Sequence, residues 1–339
     1  MMATRVAVIG AGSWGSAAAS LASCNVPTVL WARSPELADE MARTHVNKRY
    51  LPEYALHDRL TATSSLASAL EGTDVVVMAV PSHGFRGVLA EAAPMIAPGT
   101  PVVSLSKGVE QTSLKRMTEV IAELLPGHPT GVLTGPNLAK EIMAGRPAAS
   151  VIAMTDEAVA EDLQKVFNTP SFRVYTNPDV IGCEVAGALK NVMALAAGMS
   201  DGMGLGDNTK AALMTRGLAE LTRLGVALGG QPLTFSGLAG MGDLVATCMS
   251  HQSRNRHVGV ELGKGRHIDQ VIAEMKMVAE GVKTSRAVVD IARRLGLELP
   301  IAEQVAAVVN GEKTAADVIP ALMQRQMRAE LHGIGGHPA

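Results

Sequence analysis

The stretch RVAVIGAGSWGSAAAS, residues 5–20, decides the fold of the first half of this 339-residue chain. It opens with an apolar run that ends in glycine, and such a run predicts a strand buried on both faces. The small residues after the third glycine predict a helix that packs closely on that strand. A second apolar run, TVLWAR at Thr28–Arg33, predicts the next strand. The pattern therefore indicates a β-α-β unit.

Three glycines between the first strand and the helix form the spacing GxGxxG. Gly10 permits a tight turn, Gly12 leaves space for a pyrophosphate, and Gly15 lets the helix approach the strand. The helix N-terminus that follows offers free N–H groups and a partial positive charge to phosphate. The β-α-β context predicts a dinucleotide site, whose cofactor-binding residues are Gly10, Gly12, Ser13, Trp14 and Gly15.

The end of the second strand bears on which dinucleotide binds. An acidic residue at this point is typical of NAD binding, but the chain reads Trp-Ala-Arg-Ser and has no acid before Glu36. Arg33 has the planar fork of donors that pairs with a 2′-phosphate. This favours NADP(H) and leaves NAD(H) open. The alternative for Arg33 is an ordinary solvated arginine.

The rhythm of the chain changes near Pro178. Before it, short apolar runs alternate with helical segments, which predicts a doubly wound α/β (Rossmann) domain over residues 1–178. After it, the chain reads as successive helices, which predicts an all-α domain over residues 179–332. Residues 333–339, GIGGHPA, have little to bury, and we expect a mobile tail.

Composition excludes several function classes. The formal net charge is -2 and no long basic run occurs, which argues against nucleic-acid binding. The three cysteines, Cys24, Cys183 and Cys248, form no CxxC pair, as in reduced cytosolic proteins. The histidines are scattered, so no metal site is expected. No uninterrupted apolar run reaches about 18 residues, so we expect no membrane span.

A long motif occurs in the second half. Gly187–Asn208 reads GALKNVMALAAGMSDGMGLGDN, and it resembles the characteristic segment of the bacterial NAD(P)-dependent glycerol-3-phosphate dehydrogenases. The resemblance extends, in family order, over nearly the whole chain. It includes the segments VPSHGFR (Val80–Arg86), SLSKGVE (Ser104–Glu110), GPNLAKE (Gly135–Glu141), GLAGMGD (Gly237–Asp243) and SRNR (Ser253–Arg256).

Lys190 is the candidate catalytic residue. Hydride reduction of a ketone builds negative charge on the carbonyl oxygen, which a positioned acid must stabilise and protonate. Lys190 lies in an otherwise apolar helix, where periodicity alone also allows a side chain that snorkels to solvent. The resemblance implies that Lys190 is the proton donor and acceptor.

The resemblance also implies the remaining site residues. A phosphate ester is held by cations and N–H donors. The implied substrate-binding residues are Lys107, Gly135, Asn137, Lys190, Asp243, Ser253, Arg254 and Asn255. Asn137 departs from the family pattern, in which Ser or Thr is frequent, but its amide still offers a donor and an acceptor. The implied cofactor contacts beyond the glycine loop are Arg33, Lys107, Ala139, Arg254, Val278 and Glu280.

We therefore expect reversible hydride transfer between NAD(P)H and dihydroxyacetone phosphate. The product, sn-glycerol 3-phosphate, would serve phospholipid synthesis in the cytoplasm, and the resemblance makes a homodimer joined through the helical domain plausible. Two alternatives stay open. One is another dehydrogenase of the same architecture, of the 3-hydroxyacyl-CoA or 6-phosphogluconate type. The other is a non-catalytic dinucleotide sensor, which should have lost a group such as Lys190, Asp243 or Arg254.

Overall fold

A twisted eight-stranded sheet forms the centre of the N-terminal half in the computed structural model, which describes residues 4–275, 279–327 and 329–330. Val278 and the predicted mobile tail at residues 333–339 lie outside the described residues. The strands are β1 (Val6–Ile9), β2 (Thr28–Trp31), β3 (Leu60–Thr63), β4 (Val75–Met78), β5 (Val102–Ser104), β6 (Thr130–Thr134), β7 (Ala148–Met154) and β8 (Phe172–Asn177).

The strand order is β3-β2-β1-β4-β5-β6-β7-β8. Every neighbouring pair is parallel except β6 and β7, which are antiparallel. β1 lies between β2 and β4, so the chain reverses its direction of travel across the sheet at β1. In open α/β sheets, ligands bind beyond the carboxyl ends of the strands at such a point.

Seven helices connect or flank these strands. They are α1 (Ser13–Ser23), α2 (Pro35–Thr44), α3 (Leu66–Leu70), α4 (Ser82–Ala92), α5 (Met117–Leu124), α6 (Ala139–Met143) and α7 (Glu157–Phe167). β1 shows why helices are needed on both faces. Val6 and Val8 join one buried apolar cluster, whereas Ala7 and Ile9 join another, because successive side chains of a strand point to opposite faces.

The C-terminal half is built from helices in the residues that the structure describes. They are α8 (Val180–Gly202), α9 (Gly206–Ala227), α10 (Pro232–Ser236), α11 (Asp243–Met249), α12 (Arg254–Gly263), α13 (Ile268–Glu274), α14 (Glu280–Arg294), α15 (Pro300–Val309) and α16 (Ala315–Met323). The predicted α/β plus all-α fold class is therefore confirmed.

α8 is the core helix of this half. It is long and apolar enough to cross a membrane by length and composition, yet 94% of its most apolar window is buried inside the protein. Its glycines let α12 approach closely. A Cβ on Gly198 would lie 2.9 Å from the Cα of Gly259, and one on Gly202 would lie 3.0 Å from the Cα of Gly263. Larger residues at these positions would push the two helices apart.

Contacts divide the chain into two units. The first contains the residues up to Glu110 together with Lys115–Val180. The second contains Gln111–Leu114 and the residues from Ile181 onward. The α/β unit thus runs two residues beyond the 1–178 expected from the sequence, and the short segment Gln111–Leu114 groups with the helical unit.

Two details differ from the sequence-based expectation. A single helix is predicted over Pro232–Met249, but α10 ends at Ser236, a π-helical turn covers Leu238–Gly242, and α11 starts at Asp243. Gly237 interrupts the helix with an extended backbone, ψ −166°, because glycines in the segment stabilise the helix poorly. The sheet, which the continuous apolar runs predict to be parallel, also contains one antiparallel pair, β6 and β7.

Candidate functional site

The glycine loop follows β1 and leads directly into α1. Gly10 has φ +124°, a conformation that side chains disfavour. A Cβ at Gly10 would lie 2.6 Å from the carbonyl oxygen of Ala79, and one at Gly15 would overlap the carbonyl of Gly10. Gly10 and Gly15 are therefore required by the packing of the loop on the sheet.

Gly12 differs from its two neighbours in the motif. A Cβ built there would meet no atom within 4 Å, so packing within the chain does not demand glycine at this position. Gly12 is the N-cap of α1, whose first residues are Ser13 and Trp14. The open space beside a helix N-terminus fits the pyrophosphate of a dinucleotide.

Trp14 lies in the first turn of α1, and Arg33 lies at the end of this first β-α-β unit. The Trp14 ring packs against Phe172 at 6.3 Å between centroids. Arg33 follows β2 and is exposed. Glu36, the nearest acid, accepts a hydrogen bond from Ser34 Oγ at 2.5 Å, and that bond lowers the pKa of its carboxyl. Glu36 is the carboxylate that could replace the acidic residue typical of NAD binding, and its hydrogen bond to Ser34 keeps it within its own turn.

A second group of predicted residues meets beyond β5 and β6. Lys107 Nζ donates to the carbonyl oxygen of Gly135 at 2.8 Å. Asn137 Nδ2 donates to Ser150 Oγ at 3.0 Å, and that hydroxyl donates to Thr134 O. Asn137 Oδ1 and Thr134 Oγ1 are buried without a hydrogen-bond partner. Two acceptors therefore remain for a ligand donor. Ala139 starts α6 directly after this group.

Lys190 is buried within the helical unit, with 6% of its surface exposed. Its ammonium donates to Asp243 Oδ1 at 2.5 Å and to Thr247 Oγ1 at 2.7 Å. Asp243 and Thr247 are one helical turn apart on α11, so both face α8. The Thr247 hydroxyl in turn donates to the Asp243 carbonyl at 2.6 Å. The structure does not place Lys190 as a snorkelling surface side chain.

Asn255 links three helices through its amide. Its Nδ2 donates to Asn191 Oδ1 at 3.0 Å, and its Oδ1 accepts from the Gly281 N–H at 2.9 Å. Asn191 neighbours Lys190 on α8, and Gly281 follows Glu280 in the first turn of α14. Asn255, a predicted substrate-binding residue, therefore also connects the starts of α12 and α14 to α8 beside Lys190.

The start of α12 carries the other predicted phosphate-binding residues. Ser253 is the N-cap, and its Oγ accepts from the Arg256 N–H at 3.2 Å. Arg254 is exposed in the first turn. Arg256 donates through Nε to Asp201 Oδ2 at 2.8 Å, which ties this turn to the end of α8. An exposed arginine at a helix N-terminus presents a positive field to an anion.

The comparisons with known proteins agree over the full length. The models of the NAD-dependent glycerol-3-phosphate dehydrogenase N-terminus and C-terminus match residues 5–160 and 179–320. The chain belongs to this family.

Similar proteins include a glycerol-3-phosphate dehydrogenase [NAD(P)+] of Sphingopyxis alaskensis, 57% identical over 98% of this chain and 99% of the relative. One from Mycobacterium avium is 50% identical over 99% of this chain and 98% of the relative. The crystal structure of glycerol-3-phosphate dehydrogenase from Coxiella burnetii is also similar, with a TM-score of 0.91 and 37% identity over 95% of this chain and 99% of that one.

Sequence reasoning missed Thr247 and assigned no role to Asn191. Thr247 lies four residues after Asp243, a spacing that places two side chains on one helix face, and that signal could have found it. Cys248 is fully buried beside this group, and burial raises its pKa to about 12. Its thiol is therefore neutral and takes no part as a nucleophile.

Proposed function

We propose that this chain is a glycerol-3-phosphate dehydrogenase that interconverts dihydroxyacetone phosphate and sn-glycerol 3-phosphate with NAD(P)(H). Family membership supports the reaction, and the buried Lys190 ammonium between Asp243 and Thr247 is the observation that carries it. A lysine is buried at such cost only where its charge is compensated, and here one carboxylate and one hydroxyl compensate it.

The chemistry assigned to Lys190 follows from its charge. When bound, the nicotinamide supplies or takes the hydride. In the reducing direction the carbonyl oxygen gains negative charge, which the Lys190 ammonium stabilises before it donates a proton. In the oxidising direction the neutral amine takes the proton of the substrate hydroxyl. Asp243 holds the amine in place and balances its charge in the protonated state.

The substrate phosphate is assigned to the start of α12, where Ser253, Arg254 and Asn255 lie together. Arg254 supplies a fixed positive charge, and the α12 N-terminus supplies N–H donors. Lys107, Gly135 and Asn137 are assigned to the substrate as well. Lys107 and Arg254 are also assigned to the cofactor, together with Ala139, Glu280 and Val278.

The test follows the absorbance of NADPH while the purified protein meets dihydroxyacetone phosphate. We expect turnover, and we expect Lys190→Ala to lower kcat by about 10²–10⁴-fold, the usual contribution of a general acid. Lys264→Ala is the matched control, because Lys264 lies on the surface of the same unit and pairs only with Glu261 at 2.8 Å in the described structure. Turnover that survives in a folded Lys190→Ala variant would reject the assignment.

Arg33 is assigned to the 2′-phosphate of NADP(H). Its exposure after β2 and the engagement of Glu36 by Ser34 support this role. We expect Arg33→Ala to raise the KM for NADPH by about tenfold, the weight of one charge-assisted hydrogen bond, and to leave the KM for NADH unchanged. An unchanged KM for NADPH would assign Arg33 to the solvated surface, and an equal rise in both KM values would contradict a contact with the 2′-phosphate.

We also infer a cytoplasmic homodimer that supplies glycerol 3-phosphate to phospholipid synthesis. Cys24, Cys183 and Cys248 are thiols and not disulfides, which suits a reducing compartment. Exposed apolar side chains on the helical unit, Leu233 at 84% and Met249 at 60%, suit a surface covered by a second copy. Light scattering during gel filtration would separate a dimer from a monomer.

A further inference from the structure

Asn47 lies between α2 and β3, and none of its surface is exposed. Both ends of its amide form hydrogen bonds. Nδ2 donates to the carbonyl oxygen of Ala11 at 2.9 Å and to Ser16 Oγ at 2.8 Å. Oδ1 accepts from the Tyr50 N–H at 3.2 Å. Because a carbonyl oxygen only accepts, the amide orientation is determined by the Ala11 contact. Asn47 therefore joins a distant loop to the middle of the GxGxxG motif.

The Ala11 contact sets the direction of one backbone donor. A trans peptide is planar, and its C=O and N–H point in opposite directions. Since the Ala11 carbonyl points at the buried Asn47 amide, the Gly12 N–H of the same peptide points away from it. Gly12 is half-buried, and the space beside its Cα is open. This is the position at which the motif brings a phosphate near the backbone.

The second Asn47 contact fixes the helix that follows the loop. Ser16 is fully buried in the first turns of α1, and its own N–H donates to the Gly12 carbonyl at 2.9 Å. One side chain therefore holds the Ala11–Gly12 peptide and the start of α1 in a single arrangement. Without it, the loop peptide could rotate, since only weak torsional barriers oppose a rotation about φ and ψ in a glycine-rich segment.

We propose that Asn47 is a positioning residue for cofactor binding. It orients the Gly12 N–H and the α1 N-terminus toward the dinucleotide pyrophosphate, and it does so through the backbone. Its own side chain is buried and acts on the Ala11 carbonyl and the Ser16 hydroxyl. Preorganised N–H donors bind an anion more tightly than mobile ones, because the ordering cost is already met in the free protein.

Two variants test this role. Asn47→Ala removes both donors. Asn47→Asp keeps the shape, the Tyr50 contact and an acceptor for the Ser16 hydroxyl, but it turns an oxygen toward the Ala11 carbonyl and repels that peptide. Asn25→Ala is the matched control, because Asn25 Nδ2 also bonds two backbone carbonyls of this unit, those of Val166 and Asn168, at 3.0 and 2.9 Å. Neither of these carbonyls belongs to the glycine loop.

The readouts are the Kd for NADPH from its fluorescence, the two KM values, kcat at saturation, and Tm. We expect Kd and KM for NADPH to rise about tenfold in Asn47→Ala and on the order of a hundredfold in Asn47→Asp. The KM for dihydroxyacetone phosphate and kcat should stay within about twofold. Asn25→Ala should lower Tm without changing the Kd.

Two results would overturn the proposal. One is an unchanged Kd for NADPH in a folded Asn47→Ala or Asn47→Asp protein. The other is a fall in kcat together with an equal rise in both KM values. That result would indicate general damage to the fold and not the loss of a positioned loop. If Asn47→Ala fails to fold, the isosteric Asn47→Asp variant decides between these outcomes by the same measurements.

Discussion

The glycine loop of the α/β unit and the Lys190 centre of the helical unit are built by opposite means. The loop is made of backbone: Gly10, Gly12 and Gly15 matter for the side chains they lack. The Lys190 centre is made of buried side chains on α8 and α11, 53 residues apart in sequence for Lys190 and Asp243. A site built from backbone tolerates substitutions nearby as long as the course of the backbone is unchanged. A buried charged pair, in contrast, depends on both side chains.

Asp243→Asn tests that dependence most severely. The amide has the shape of the carboxylate but no charge, so the buried Lys190 ammonium loses its counter-charge. Breaking one side of a buried ion pair costs about 3–5 kcal/mol of unfolding free energy, and activity should fall with it. Denaturant titration and NADPH turnover would measure both.

Asp269→Asn is the control for this change. Asp269 pairs with His267 at 3.3 Å and lies in the first turn of α13, but its side chain is 87% exposed, so we expect a loss of less than about 1 kcal/mol. A loss below about 1 kcal/mol for Asp243→Asn would contradict the view that the Lys190 centre depends on the ion pair.

Glu220 sharpens the comparison, because it is a buried carboxyl that pairs with backbone instead of a cation. It lies on α9, and its oxygens accept from the N–H groups of Ile301 and Ala302 at the start of α15, at 2.7 and 3.2 Å. Burial raises its pKa from 4.5 to about 7, against the lowering effect of those two bonds. The folded protein therefore binds this proton more tightly than the unfolded chain.

The sign of the pH effect follows from that order. Glu220's contribution is fully present below pH 4.5, is lost as the pH rises to about 7, and is constant above. The total change is about 3 kcal/mol. Glu220→Gln should remove it, so the difference in unfolding free energy between variant and parent should vary with pH over this window. A difference that is the same at pH 5 and pH 8 would reject the effect.

The α/β unit was the more predictable half from sequence, for reasons visible in β1. Its strand, its glycines and the small residues of α1 are contiguous, so one short segment determines the turn and the packing. The edge strand β8 is harder to predict, because buried and exposed residues alternate over Phe172–Asn177. Such a strand is covered on one face and lacks the continuous apolar run of a strand that is buried on both faces. The sequence predicts β7 itself but not its antiparallel direction, because strand direction depends on topology and not on local pattern.

The Lys190 centre could be predicted only in part. Lys190 and Asp243 were expected from the resemblance, but periodicity alone left Lys190 open between a buried and a snorkelling side chain. The contacts of Thr247 and Asn255 arise where α8, α11, α12 and α14 pack, and no local pattern encodes that arrangement. Asn47 could not be predicted for the same reason, since its partner Ala11 lies 36 residues away in the sequence.

Glycine also serves different purposes in the two units. In the helical unit it lets two helices approach closely, and Gly259→Ala tests this role. In α12 a Cβ at this position would overlap the Leu195 carbonyl and lie 2.9 Å from the Cα of Gly198. Overpacking of this kind costs about 1–3 kcal/mol, measurable by denaturant titration. Gly87→Ala is the control: it lies exposed in α4 with nothing within 4 Å of its Cβ position, so alanine should stabilise by about 0.5–1 kcal/mol. Equal signs for the two changes would contradict the packing role.

Among the changes in the Lys190 centre, Thr247→Val should have the smallest effect, and it separates charge from hydrogen bonding. Valine has the shape of threonine but no hydroxyl, so the Lys190 ammonium loses the 2.7 Å contact and keeps the carboxylate at 2.5 Å. A lost hydrogen bond to a charged group costs about 1.5–3 kcal/mol at most, and the remaining pair should hold the amine within reach of the substrate. We expect kcat to fall about tenfold, far less than for Lys190→Ala, in the turnover assay. A loss as large as that of Lys190→Ala would mean that the hydroxyl, not the carboxylate, positions the proton donor.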